Sequence, residues 1–228
     1  TYLDDEVKIK DLIKEEDVVI TVSHLGYVKR TSVTEYRQQR RGGRGAMGSK
    51  TREEDYVEHL FVASTHHTLL FFTEKGRCYW LKSYEIPEGD KTSKGRAIQN
   101  LMQIPPDDKI RAIIDVRNLE DEEFVKSHYI VLCTRKGIIK KTLLEDFSRR
   151  RATGVNAITI VEGDQLLEAK MTNGNSEIMM AVKSGRAIRF PEEKVRPTGR
   201  GAIGVAGLEG DNDHDAVVGM ICVITVAA

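Results

Sequence analysis

The chain has 228 residues, with 35 Lys and Arg against 35 Asp and Glu, a formal net charge of zero and 40% apolar residues. That length can bury a real core, and the balance excludes both a uniformly basic nucleic-acid coat and a polyacidic tail. Three scattered cysteines (Cys78, Cys133, Cys222) without a C-x-x-C pair exclude a disulfide framework and a cysteine zinc site, and fit a reducing compartment.

Residues 1–17 hold seven acids (Asp4, Asp5, Glu6, Asp11, Glu15, Glu16, Asp17) against Lys8, Lys10 and Lys14, and read as an acidic lead-in. They have neither an initiator Met nor the basic and apolar regions of a signal peptide, so the chain reads as part of a longer one. Bases cluster later: Arg37 to Arg52 holds six without an acid, residues 135–141 hold four, and 149–151 is Arg-Arg-Arg. Gathered on one surface, they would make a locally positive potential at zero net charge.

From Val18 onward a pattern recurs four times: an apolar strand, a glycine turn, then a second strand carrying bases. The turn glycines are Gly26, Gly76, Gly137 and Gly185, spaced 50, 61 and 48 residues apart. Glycine supplies the positive φ of a tight hairpin, so four β-hairpins are expected. A second glycine follows after 19, 19, 17 and 16 residues, at Gly45, Gly95, Gly154 and Gly201. A short strand comes next, then an acidic turn (Asp55, Asp108, Asp164, Asp215) leading to a further strand. About four strands per roughly 50 residues is the period of a propeller blade, whose faces are buried only by stacking. The repeats run over about 18–63, 68–116, 128–172 and 176–223, within one β domain over 18–228. A β-sandwich with accidental spacing is the alternative. The final apolar run, Ala216 to Ala228, is too short for a membrane-spanning helix.

Within the first repeat, Gln39-Arg40-Arg41-Gly42-Gly43-Arg44-Gly45 reads as a loop without a counterpart in the other three. Three guanidiniums can each grip phosphate oxygens, and three glycines admit close backbone approach. His66-His67 are adjacent, so on a strand they face opposite ways and suit a shared metal poorly. Cys133 and Cys222 read as core residues, Trp80 as packing more than base stacking, and Glu120 to Glu123 as a solvated connector. No nucleophile, base and acid stand at a recognisable spacing, so no catalytic residue is assigned.

The seven-residue run resembles the signature box of the C-terminal domain of the DNA gyrase A subunit, Q-[RK]-R-G-G-[RK]-G, at every position. The resemblance extends through Glu16 to Lys29, Ala63 to His66 and Gly137 to Thr142. It implies an all-β, propeller-like β-pinwheel of about four four-stranded blades here, where the family usually has about six. It also implies that duplex DNA wraps around a basic rim. The rim residues expected from the hairpin strands are Lys29, Arg30, Arg77, Lys140, Lys141, Arg186 and Arg189, joined by the box Gln39 to Gly45. The resemblance further implies a bacterial, cytoplasmic, nucleoid-associated gyrase holoenzyme built from two A and two B subunits (A2B2). That enzyme introduces negative supercoils with ATP and Mg2+, while this chain carries no cofactor, no metal and no membrane contact. The C-terminal domain of the A-type subunit of topoisomerase IV, which lacks an intact box, and a protein-binding propeller scaffold are the rivals.

Overall fold

The computed structural model describes residues 9, 11–38, 55–207 and 215–224. The chain divides into two compact units. One comprises Thr1–Leu69, Leu81–Pro105 and Asp115–Arg117, the other Leu70–Trp80, Pro106–Ile114 and Asn118–Ala228.

In the first unit, β1 (Asp17–Ser23) and β2 (Tyr27–Ser32) form a hairpin. Its turn is Gly26, at φ 86°, where the Gly26 N–H donates to the Ser23 carbonyl at 3.0 Å. β3 (Val57–Ser64) pairs on the far side of β1, and the two-residue β6 (Arg96–Ala97) on the far side of β2, giving the order β3-β1-β2-β6. The core of β1 is buried on both faces, as its unbroken run Val18-Val-Ile-Thr-Val22 requires. A six-residue helix, α1 (Val33–Gln38), follows β2. Residues 13–16 are pinned to the turn after β3: Thr65 donates to the Lys14 carbonyl at 2.8 Å, and a ring nitrogen of His66 meets that of Ile13 at 2.7 Å.

The second unit holds three sheets. The first is ordered β10-β5-β4-β7, from β4 (Thr68–Thr73), β5 (Arg77–Lys82), β7 (Ile110–Val116) and β10 (Val155–Asn156), with the ends of β4, β5 and β7 running into the first unit. The second is ordered β11-β8-β9-β14, from β8 (Tyr129–Thr134), β9 (Ile138–Leu143), β11 (Leu166–Thr172) and β14 (Val205–Ala206). The last is β13-β12-β15, from β12 (Ser176–Val182), β13 (Ala187–Pro191) and β15 (Val217–Ile224). The short strands β6, β10 and β14 each come from the repeat after the sheet they complete. Among the described residues β13 pairs only with β12, so this sheet has three strands. Val131, Cys133, Ile139, Ile178, Met180, Val195 and Met220 share one core between the last two sheets.

Two devices explain why these hairpins form. Ser23, Thr73 and Thr134 stand three residues before their turn glycines, and each hydroxyl accepts the N–H just after that glycine at 3.0–3.1 Å. The four acids of the acidic turns act alike. Asp55, Asp108, Asp164 and Asp215 each accept the N–H of the residue before the turn glycine. The acids are therefore caps that tie the outer strand of each repeat to its own hairpin.

The second glycine of the fourth repeat is Gly204, not Gly201. Gly204 sits at φ +101° and a Cβ there would lie 2.6 Å from the Ile139 carbonyl oxygen, as one at Gly95 would lie 2.5 Å from that of Val28. At Gly201 a Cβ would meet nothing, so the strand exchange imposes no glycine there. The acids 120–123 are also more than a connector. Asp121 caps the helix α2 (Glu122–Ser127), accepting the Glu123 and Phe124 N–H groups, and Glu122 and Glu123 occupy its favourable first turn. Trp80 is core: it is 2% exposed and donates from its indole nitrogen to the Phe147 carbonyl at 2.8 Å.

Candidate nucleic-acid interface

The box Gln39 to Gly45 lies outside the described residues. The seven bases expected on a rim divide by what their charged ends touch.

Lys140 and Lys141 correct the expectation. Lys140 is 1% exposed, and its Nζ donates to the Ala157 and Arg200 carbonyls, each at 2.6 Å. Burial lowers its pKa to about 8, opposed by Asp146. Lys141 is 4% exposed; its Nζ lies over the Tyr129 ring, 4.6 Å from the centroid, and 3.4 Å from the Glu192 carbonyl. Both ammoniums are spent inside the protein because the strand exchange brings main-chain carbonyls over β9. Lys29 occupies the position of Lys140 in the first unit. Its Nζ reaches the Asp90, Lys91 and Ser93 carbonyls at 2.7–3.0 Å, and burial depresses its pKa against the pull of Asp90. Arg30 is likewise engaged, by the Ile86 carbonyl at 2.6 Å and the Glu88 carboxylate at 2.9 Å.

The other three are more open. Arg77 is half-buried and donates to the Thr153 carbonyl at 2.9 Å. Arg186 stands 3.7 Å from Asp215, and Arg189 is 3.4 Å from Glu177 with its side chain 65% exposed. Pairs this open are worth little in water and yield readily to a phosphate.

Besides the exposed bases at the hairpin tips (Lys75, Arg135, Lys136, Lys183), others stand on the turn that leads into each exchanged strand. In the second unit that turn carries Arg149, Arg150 and Arg151 before β10, all exposed, and Arg196 with half-buried Arg200 before β14. In the first unit it carries exposed Lys91 and Lys94 before β6. Lys94 stacks on the Tyr27 ring at 3.9 Å and Lys91 lies 5.4 Å from that of Tyr36. The Arg149–Arg151 run was visible in sequence as a charge cluster. What the sequence did not show is that these turns, more than the hairpin strands, carry the open charge.

Elsewhere, His67 pairs with Asp115 at 2.8 Å, and burial raises the Asp115 carboxyl above its ordinary value. Burial also pushes the Cys133 thiol up to about 12 and that of Cys222 to about 11, so neither is a thiolate near neutrality. Among the described residues no group of three His, Cys, Asp or Glu is placed to hold a metal, and no helix is long and apolar enough to cross a membrane.

Four β repeats that exchange strands define a class: an all-β repeat protein whose turns into the exchanged strands carry exposed bases. The particular family follows from comparison. The chain belongs to the DNA gyrase C-terminal domain, beta-propeller, family, which matches it over residues 17–64, 67–117, 128–173 and 176–224. It is 45% identical over 204 residues to the DNA gyrase A subunit of Clostridium acetobutylicum, covering 90% of this chain and 24% of that one. It is 43% identical over 216 residues to its counterpart in Salmonella typhimurium, covering 95% and 24%. The chain thus spans about a quarter of the length of these relatives. A solved DNA gyrase A C-terminal domain superposes with a TM-score of 0.71 at 26% identity, covering 91% of this chain and 65% of that one. The C-terminal domain of a DNA topoisomerase IV gives 0.73 at 27% identity, covering 93% and 63%. Fold likeness therefore does not separate the two enzymes.

Proposed function

We propose that this domain binds duplex DNA through its phosphates, without reading bases, and bends it along the exposed basic turns. In this reading it belongs to a gyrase. It would present a wrapped segment to the remainder of the A subunit. Together with the B subunit, in an A2B2 holoenzyme, it would support ATP-dependent negative supercoiling in the bacterial cytoplasm. The chain supplies no catalytic group; ATP and Mg2+ act in the partner parts. The observation that carries the reading is the exposed run Arg149–Arg151, on the turn feeding an exchanged strand, in a member of the gyrase C-terminal family.

Guanidiniums on a turn suit phosphate oxygens and read no base edge. Bending 20–30 bp by 40–90° costs on the order of 1–6 kcal/mol, so several such contacts are needed. Arg77, Arg186 and Arg189 serve as further contacts, and the box Gln39 to Gly45 clamps one end of the path. Lys29, Arg30, Lys140 and Lys141 contribute by holding the turns. Topoisomerase IV is the second reading, since the superpositions fit both alike; the intact run Gln39-Arg-Arg-Gly-Gly-Arg-Gly45 argues for gyrase.

The test is fluorescence anisotropy on a duplex of about 30 bp across salt concentrations, beside an energy-transfer bending assay. Each phosphate neutralised contributes about −0.9 to the slope of log K on log salt. A slope of several units, with no sequence preference and with bending, supports the proposal; a flat slope overturns it. In the full-length A subunit reconstituted with its B partner, replacing Gln39 to Gly45 by alanines should abolish negative supercoiling and spare relaxation. Retained supercoiling would remove the role given to the box.

A further inference from the structure

The turn that leads into β10 is held at its two ends and projects between them. At one end Phe147 is buried, and the Ser148 hydroxyl donates to the Glu145 carbonyl at 2.7 Å. At the other, Gly154 sits at φ +73°, where a Cβ would lie 2.7 Å from the Tyr79 ring, so the chain is pressed against β5. Residues 149–153 between them are all exposed. The Gly154 N–H donates to the Arg151 carbonyl at 2.9 Å, which closes a β-turn with Thr153 at its third position.

Thr153 differs from the hydroxyls of the other basic turns. Before β6, the Thr92 hydroxyl donates to the Asp90 carboxylate at 2.9 Å and the Ser93 hydroxyl to the Asp90 carbonyl at 3.0 Å, so both are spent inside the turn. Thr153 is exposed, and its hydroxyl has no partner among the described residues. Its neighbours are cationic. Arg149, Arg150 and Arg151 precede it, and the Arg77 guanidinium donates to its carbonyl at 2.9 Å. No acid occurs between Asp146 and Glu162. A dianion on this hydroxyl would therefore find guanidiniums and no like charge on its own turn.

The sequence offers the same hydroxyl to an enzyme. No other Ser or Thr of the chain has arginine both two and three residues before it; Thr198, before β14, follows Pro197 and the single Arg196. A kinase cleft lined with carboxylates recognises such an arginine pair by charge. Opening the Arg151–Gly154 and Arg77–Thr153 bonds extends the segment for that cleft while the anchored ends stay in place.

We propose that Thr153 is a phosphorylation site, modified by an ATP-dependent serine/threonine kinase that recognises Arg150 and Arg151. The Thr153 Oγ1–phosphorus bond forms as the bond from the γ-phosphorus to the ADP oxygen breaks. ADP leaves, and the hydroxyl proton passes to the kinase's catalytic carboxylate. The phosphothreonine carries about −1.5 to −2 charges at pH 7 and closes on the guanidiniums of Arg77, Arg149 and Arg151. Those groups are then withdrawn from DNA, so the modification loosens the wrap. This rests on the DNA-binding reading above and adds a switch to it.

The test has two readouts. In the A subunit purified from its own cells across growth phases, mass spectrometry should find phosphate on Thr153 in a fraction of the molecules. Its absence in every phase overturns the proposal. In the second, the chain is incubated with ATP, Mg2+ and a kinase specific for arginine at those two positions, then compared with the unmodified chain and with Thr153→Val. All three should melt alike, because the change is on an exposed turn. The phosphorylated chain should bind duplex about tenfold more weakly, with a salt slope lower by about 1.8, as for two phosphates given up. Thr153→Val should take up no phosphate at this turn and bind as the parent does. Failure of Thr153 to accept phosphate, or a parent-like slope once it has, overturns the proposal and leaves the DNA-binding reading standing. An unmodified chain that does not bind duplex overturns both.

Discussion

Lys140 donates to the carbonyl of Arg200 at 2.6 Å across 60 residues of sequence, and to that of Ala157 at the same distance. One ammonium thereby ties its own hairpin to a turn of the third repeat and a turn of the fourth. Lys29 does the same for the Asp90, Lys91 and Ser93 carbonyls. The main-chain path of an exposed basic turn is in this way set from inside, by a lysine whose own charge is already spent on carbonyls.

Lys140→Met keeps the stem's packing and removes the donor, leaving two inward carbonyls without it. The expected cost is about 1–3 kcal/mol, read by denaturant unfolding. The pH dependence has a definite sign. The folded-state pKa of about 8 lies below the ordinary 10.5, so between these values the unfolded chain binds more protons. Wild type should therefore gain stability relative to the variant as pH rises from 8 toward 10. A gap that narrows over that range would contradict buried, desolvated Lys140.

Hairpin glycines were legible in the sequence because a positive φ is a local demand, and the acids were legible as turns; that each acid caps a hairpin N–H 28–33 residues away was not. The rim was less legible. Bases alternating with apolar residues on an outer strand look solvent-facing in a simple hairpin. Here the next repeat lays a strand and its carbonyls over them, a non-local event that buries Lys140 and Lys141. The same event decides between Gly201 and Gly204, since only the Ile139 carbonyl, far away in sequence, makes a side chain at 204 impossible.

Gly204→Ala should be strongly destabilising. The left-handed φ of +101° strains any L side chain, and the methyl would lie 2.6 Å from the Ile139 oxygen. A loss of about 2 kcal/mol or more is expected, with β14 detaching first and hydrogen exchange rising at Ile139 and Ala206. Unchanged protection at these amides would mean that the strand exchange tolerates a side chain there.

Asp215 accepts from the Ser184 hydroxyl at 2.6 Å and its N–H at 3.0 Å, and these bonds, the hydroxyl first, lower its pKa. A depressed carboxyl contributes stability that is complete above its ordinary value of 3.8 and lost as pH falls through the folded value. Asp215→Asn should lose that stability at pH 7 and flatten the acid limb, its curve converging on that of wild type as pH falls below the folded value. An acid limb identical to wild type would show that the cap carries no charge-linked stability.

Arg149 and Arg151 separate binding from folding. Both are exposed on the turn that leads into β10, where surface changes usually stay within about 0.5 kcal/mol. The double variant Arg149→Ala/Arg151→Ala should therefore melt as wild type does. If each guanidinium neutralises one phosphate, the salt slope for duplex binding should fall by about 1.8, and affinity should drop equally for every sequence tried. Lys140→Met behaves differently under the same assay: it loses stability first, and any loss of binding follows the loosened turn at Arg200, with the slope changing by less than one phosphate. An Arg149→Ala/Arg151→Ala variant with the wild-type slope would place the DNA path away from this turn.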